Sequence, residues 1–238
     1  MVSMFEHRSI SLFSQRWVSA LIGLGLVLSA FGCQDDQVEL EKLNPTRGLR
    51  GAAGPPRLYP FRSADGKLPG EWEATSNPSP WAVEGGKLVG TQVRHRVLWL
   101  REPLPEYARI EFEAVATEGS AIRVEVFGDG AHRESGYVLA FGAYGDPDLH
   151  FIARLDEHGP DRVIATGGPT LEPGTIYSMV VVRTDGALRW FVNNKLLAQY
   201  IDPDPLMGDS HAYFAADGWE SSVTFDNITV YPLNPTRP

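Results

Sequence analysis

Two acidic side chains two residues apart are the first feature of this 238-residue chain that could do chemistry. Glu111 and Glu113 flank Phe112 in an alternating run, so both carboxylates leave one face of a strand. A pair of acids is what glycoside hydrolysis needs, one to protonate the leaving oxygen and one to attack or to activate water. Arg109 and Arg123 stand nearby in sequence and would neutralise them, so the expected role is a solvated ion-pair face. Loop carboxylates form two further pairs, Asp146-Pro147-Asp148 and Asp202-Pro203-Asp204. Calcium takes about six to eight oxygens, and neither pair sits in a recognisable calcium loop. Asp beside Pro is also ordinary turn chemistry. No metal or cofactor is expected, with Ca2+ at those loops as the alternative. The histidines His7, His95, His132, His150, His158 and His211 lack zinc spacing, and His95 and His132 read as loop or edge residues. Gly119-Ser120-Ala121 is not a nucleophile elbow.

Sugar recognition uses flat rings against C–H faces and Arg, Asn, Asp or His against hydroxyls. Trp99, Tyr144, His150, Arg154, Arg183 and Trp190 fall on expected strands and are the candidate ligand-binding residues. Trp190 reads equally as core, because Leu188, Trp190 and Val192 share a face. Arg154 and Arg183 read equally as partners of Glu111, Glu113 or Glu125. Trp72, Trp81 and Trp219 read as core or rim packing, since aromatic rings dominate cores energetically.

The elements that would position these residues are strands. Hydrophobic residues make up 43% of the chain and charged residues 21%, an ordinary globular composition. A formal charge of −9 argues against nucleic acid, which needs a basic face. One cysteine excludes an intrachain disulfide. Between Lys87 and Tyr231 the chain is a series of short alternating runs separated by Gly, Pro, Asp and Asn. That spacing predicts an all-β fold in one domain, residues 58–238. Ile110, Phe112 and Ala114 share one face, as do Ile122, Val124 and Val126, opposite Arg123 and Glu125. In Leu149–Asp156, Phe151, Ala153 and Leu155 oppose His150, Ile152 and Arg154. Antiparallel sheets with one wet face are expected. A slip in phase between Phe225 and Ile228 predicts a bulge near Asp226-Asn227. Glu84-Gly85-Gly86-Lys87, Asp185-Gly186 and Asn193-Asn194 predict tight hairpins.

At the amino end, Arg8 and Arg16 precede a 15-residue apolar run, Trp17–Phe31. Its length suits a signal-peptide core and falls short of the ~20 residues that span a bilayer. Ala30-Phe31-Gly32-Cys33 resembles the lipobox of bacterial lipoproteins, cleaved before a cysteine that is then acylated. The resemblance implies a removed signal peptide (1–32), lipidation of Cys33 and a membrane partner. Three acyl chains of the palmitate type, at ~0.8 kcal/mol per buried CH2, hold a protein essentially permanently. Gln34 rather than Asp follows the cysteine, which in the enterobacterial sorting rule implies the outer membrane, on its periplasmic or surface face. The alternative is a plain secretory signal, or an uncleaved anchor, with Cys33 incidental. Residues 33–57 have no apolar period and read as a solvated tether.

Four strings then resemble concanavalin A-like lectin and glucanase sandwiches: Trp81-Ala-Val-Glu-Gly-Gly-Lys-Leu88, Gly136-Tyr-Val-Leu-Ala-Phe141, Leu171–Tyr177 with Met179–Arg183, and Val223–Val230. Within that group the pattern is most similar to laminin G-like and 3-keto-disaccharide hydrolase domains. The resemblance implies a jelly roll of two curved antiparallel sheets whose concave face often binds sugar. The E-x-D-x-E carboxylate string of glucanases is absent, and Glu111-Phe112-Glu113 lacks its middle Asp. The expectation is a lipid-anchored envelope protein that binds a polysaccharide or cell-envelope glycan without cleaving it. The alternatives are a glycoside hydrolase related to the 3-keto-disaccharide hydrolases and an interaction module of an envelope assembly.

Overall fold

Alternation settles the architecture. In Ala108–Ala116 the buried residues Ala108, Ile110, Phe112, Ala114 and Ala116 alternate with half-buried Arg109, Glu111, Glu113 and Val115. A strand with one apolar face must bury it against a second layer. The computed structural model describes residues 53–234 except 118, 120, 185 and 221. Cys33, the apolar run before it and the expected tether up to residue 52 lie outside the described residues, as does Asp185.

Two antiparallel sheets result. The seven-stranded sheet runs β10 (Val163–Ile164), β9 (His150–Arg154), β8 (Tyr137–Phe141), β7 (Ile122–Gly128), β14 (Tyr213–Gly218), β5 (Leu98–Leu100) and β2 (Trp72–Ala74). The eight-stranded sheet runs β13 (Lys195–Ile201), β12 (Ala187–Val192), β11 (Tyr177–Thr184), β6 (Ala108–Ala116), β15 (Ser222–Pro232), β4 (Lys87–Thr91) and β3 (Trp81–Glu84). Its eighth strand, β1 (Arg57–Tyr59), pairs with β15. Upstream of β1, the Ala53 N–H donates to the Pro232 carbonyl at 2.9 Å. β1, β2 and β3 have three, three and four residues, too short to show a period in sequence.

The turns follow their chemistry. Asn193 and Asn194, at φ 49° and 64°, join β12 to β13, and Gly85-Gly86 join β3 to β4. The expected bulge lies in β15, whose register against β6 shifts between Asp226 and Thr229, with Asn227 at φ 53°. Between the sheets, Phe112 of β6 meets Phe214 of β14 at 5.9 Å, and Phe141 of β8 meets Trp190 of β12 at 6.1 Å. This dry interior holds Ile110, Ile122, Val124, Val126, Leu139 and Ile152.

The expected wet face fails on the seven-stranded sheet. Arg123 and Glu125 are only 4% and 2% exposed. β9 is turned over relative to the expectation: Ile152 faces the interior, while Phe151 and Ala153 pack outside with Val138, Ala140 and Ala143. Loops cover this outer face. The Tyr144 ring lies over Phe151 at 5.8 Å, and the Arg162 guanidinium sits 5.6 Å from the same ring.

Candidate functional site

Register sets the floor of the site. Asp217, Arg123, Ala140 and Phe151 stand side by side across β14, β7, β8 and β9. The next row on that face is Trp99, Ala215, Glu125, Val138 and Ala153. Alanines beside charged residues leave room above the sheet, and the loops after β7, β8, β9 and β14 surround that room together with the one before β5, which carries His95.

Glu125 ties down the first of these loops. Its Oε1 accepts the N–H of Ser135 and of Gly136, each at 2.7 Å, and the Ser135 hydroxyl at 2.9 Å. Its Oε2 accepts the Glu134 N–H at 2.8 Å. Burial pushes the carboxyl up to about 7, against the donors that favour its charged form. Gly136 is required where this loop enters β8. A Cβ there would stand 2.6 Å from the Gly128 nitrogen and the Val126 carbonyl oxygen, which are backbone atoms and cannot swing away. Gly136→Ala is therefore expected to lower stability by about 1–3 kcal/mol, measured by urea denaturation.

Arg123 is the centre of the floor. It pairs with Glu157, and its Nε lies 3.2 Å from Asp217 Oδ2. Arg133 grips the other oxygen of Glu157 at 2.8 Å and also pairs with Glu134. Burial opposes the Arg123 charge, but Asp217 and Glu157 outweigh it and hold the guanidinium charged above its ordinary range. Arg123 Nη2 and His95 Nδ1 are buried without a hydrogen-bond partner among the described residues. Such atoms are costly to leave unmatched.

Aromatic rings form the walls. The Tyr144 ring is 48% exposed, stacks 5.3 Å from the His158 ring, and its hydroxyl lies 3.2 Å from His158 Nδ1. Opposite, the His95 and Trp219 rings are 4.3 Å apart. Together with Ala121, Arg123, Ala143 and Glu157 they enclose a pocket of about 220 Å3. Burial, then Arg133, lowers the His95 pKa, which keeps the imidazole neutral at pH 7. Arg94, His95, Glu134, Tyr144, Leu155 and Glu220 all hold positive φ, from 37° to 65°, in the rim loops. Such backbone costs on the order of 1 kcal/mol or more per residue, and it gathers where a surface is shaped for a ligand.

Of the six candidates read from sequence, this pocket takes only Tyr144. Trp190, 1% exposed, is core between the sheets, the alternative its shared face allowed. Trp99 lies on the same outer face as Arg123 but is buried with Val97, Ala215 and Tyr213, so neither ring can serve as a platform. His150 stacks on Phe141 at 4.2 Å, accepts the Gly142 N–H at Nδ1, and places Nε2 3.1 Å from the Pro169 carbonyl. That network assigns its proton to Nε2 and makes it a structural residue. Arg154 bonds Asp202 at 2.9 Å, and Arg183 lies over Phe127 at 4.1 Å with the Leu206 carbonyl as acceptor. Neither meets Glu111, Glu113 or Glu125, because Arg154, beside Tyr137, and Arg183, in phase with Met179 and Val181, leave the interior side of their sheets while those glutamates leave the outer faces.

Glu111 and Glu113 lie on the outer face of the eight-stranded sheet, with the whole interior between them and the pocket. Arg109 pairs with Glu111, and the Asn227 amide donates to Glu113 at 2.9 Å. Asp202 also receives the Tyr137 hydroxyl at 2.6 Å, and Asp148 receives Thr170 Oγ1 at 2.6 Å. His95, Arg123, Glu157, His158 and Trp219 are the functional candidates that sequence reasoning passed over. Only the two charges set among the valines of β7 hinted at them.

No protein-family model matches this chain, and no curated protein matches it in sequence. Solved structures do match in shape. The chain is similar to an endo-acting O-glycanase of the human gut microbiota (TM-score 0.58, 12% identity, 77% of this chain and 100% of that one). It is similar to the carbohydrate-binding module CBM66 from Bacillus subtilis (TM-score 0.54, 12% identity, 68% and 95%). It is also similar to SCLam, a non-specific endo-β-1,3(4)-glucanase of family GH16 (TM-score 0.55, 12% identity, 78% and 94%). The fold is the concanavalin A-like jelly roll.

Proposed function

We propose that this concanavalin A-like sandwich binds a glycan, without cleaving it, in the pocket on the outer face of its seven-stranded sheet. The observation that carries the reading is the Arg123 guanidinium, buried beneath aromatic walls with its Nη2 donor unmatched. A sugar supplies what this surface lacks. Its hydroxyl or ring oxygens accept from Nη2, and its C–H faces pack on Tyr144 and Trp219. Binding rather than hydrolysis follows from what the carboxylates already do. Glu157 and Asp217 hold Arg123, and Glu125 holds the backbone of residues 134–136. None is left as a free acid beside the pocket, whereas a glycosidase needs two such groups across the bond it breaks. The fold neighbours include a carbohydrate-binding module and glycan-cleaving enzymes, which supports a glycan partner and leaves the choice to the site.

A second reading, hydrolysis, rests on one observation: His95 Nδ1 is unpaired at the pocket wall and could move a proton. Both readings keep the lipid anchor, which rests on the Cys33 sequence and would hold the pocket at the bacterial envelope, with the outer membrane the expected surface. Glycan-array binding and turnover of the array hits by the full-length chain separate the readings. Binding without turnover, weakened by Trp219→Ala, is the expected result. Turnover that His95→Gln abolishes would replace the binding reading with the enzymatic one. Fatty-acid labelling that disappears in Cys33→Ser is expected, and equal labelling of both proteins would remove the anchor.

A further inference from the structure

We propose that the pocket takes one uncharged sugar unit, and that Asp217 and Glu157 exclude acidic sugars by neutralising Arg123. This inference rests on the glycan-binding reading. It adds the size and charge of the ligand and names the residues that choose it.

The size comes from the enclosure. About 220 Å3 lies below the ~300 Å3 at which ordinary small-molecule pockets begin, so one ring fits between the walls and any further sugar units would lie outside them. The charge comes from the floor. Two guanidinium groups, Arg123 and Arg133, meet three carboxylates, Glu157, Asp217 and Glu134. The cation that would greet a sugar carboxylate is thus already paired on two sides. A uronic acid would add a further negative charge beside Glu157 and Asp217, in a site where charges are weakly screened. His95 adds little compensating charge near pH 7, because burial, with Arg133 and Arg123, outweighs Asp217 and Glu157 and lowers its pKa.

Of the buried polar atoms without a hydrogen-bond partner among the described residues, Arg123 Nη2 and His95 Nδ1 belong to pocket residues and lie outside the ion pairs. Arg123 Nη2 can only donate, and it suits a ring or hydroxyl oxygen. His95 Nδ1 can accept from, or donate to, a hydroxyl according to its tautomer. A hydroxylated ring without a carboxylate satisfies both and disturbs neither ion pair. Asp217 is therefore a specificity-determining residue: it fixes Arg123 from the neighbouring strand and cancels its charge.

The test titrates the full-length chain with methyl glycosides of glucose, galactose, mannose and xylose, and with methyl glucuronide and galacturonide. Ligand-observed NMR gives the affinities. At least one neutral glycoside is expected to bind about tenfold or more tightly than either uronide. Asp217→Asn is expected to shrink that ratio or reverse it, whatever it does to neutral affinity, because the ratio compares two ligands on the same protein. Should Asp217→Asn not fold, wild-type binding of methyl glucuronamide decides, since it keeps the shape of the glucuronide without its charge: a charge-based exclusion admits it and a steric one rejects it. A uronide that binds wild type as well as the neutral glycosides do overturns the inference and leaves glycan binding standing. Binding of end-blocked neutral polymers but of no methyl glycoside overturns the one-unit claim. Binding of no carbohydrate of any kind overturns the glycan reading itself.

Discussion

Replacing Glu125 by alanine is expected to destabilise the protein by about 3–5 kcal/mol, the larger end of single-substitution effects. Three backbone N–H groups, those of Glu134, Ser135 and Gly136, lose their acceptor at once. Each buried donor left unmatched costs on the order of 1–3 kcal/mol, and water entering the gap offsets part of it. The Ser135 hydroxyl suffers less, because the His132 carbonyl at 2.6 Å can keep its proton. Glu125→Gln separates charge from shape, since the retained oxygen can still accept from Ser135 and Gly136.

That pair of variants also gives a pH dependence with a defined sign. The folded Glu125 carboxyl titrates at about 7, above the ordinary 4.5, so the native state binds its proton more tightly than the unfolded chain does. Its contribution to stability is complete below pH 4.5 and is lost as pH rises through 7, on the order of 3 kcal/mol in all. Urea denaturation of wild type and Glu125→Gln from pH 4 to 8 should show the difference between them changing in that direction. A difference that stays flat across this range would mean that Glu125 is ionised throughout.

Arg123→Met is the second large effect. Removing the guanidinium leaves Asp217 and Glu157 buried without their shared cation, and breaking a buried pair in this way costs about 3–5 kcal/mol. Arg133 still holds Glu157, which pulls the expectation towards the lower end. Adding Asp217→Asn to Arg123→Met should restore part of the stability, because the second uncompensated charge disappears. Glycan binding should not return in the double variant, since the Nη2 donor is still missing. Equilibrium denaturation and glycan binding on the same three proteins separate the two roles of Arg123.

The fold was legible in the sequence wherever one strand face meets the interior. Ile110, Phe112 and Ala114 alternate with Glu111 and Glu113 because β6 lies in the middle of a sheet with one covered face. Asn193-Asn194 and the slip at Asp226-Asn227 were readable because turn and bulge chemistry is local. The pocket was not, and the reason is physical. Arg123 and Glu125 alternate with valines as a wet face would, but loops from distant parts of the chain roof them over and turn solvated charges into buried ones. The same roof explains β9, whose Phe151 was read as core-facing and lies instead beneath Tyr144. Tyr144 was found because the expected strand ran through it, whereas the chain leaves β8 at Phe141, turns at Gly142 and sets Tyr144 in the short 3-10 helix Ala143–Gly145. Trp219 and His95 come together through ring packing between two loops, and no periodicity announces such a meeting.

The central claim is that a carbohydrate occupies the space between Trp219, Tyr144 and Arg123. Its most direct test is a titration of the 15N-labelled full-length chain with the tightest glycan from the array, following the six tryptophan indole N–H signals. The Trp219 resonance should move saturably with ligand, while those of Trp190, buried in the interior, and Trp99, packed among Val97, Ala215 and Tyr213, stay in place. A glycan that binds while the Trp219 signal stays still would put the site elsewhere on the molecule and contradict the account.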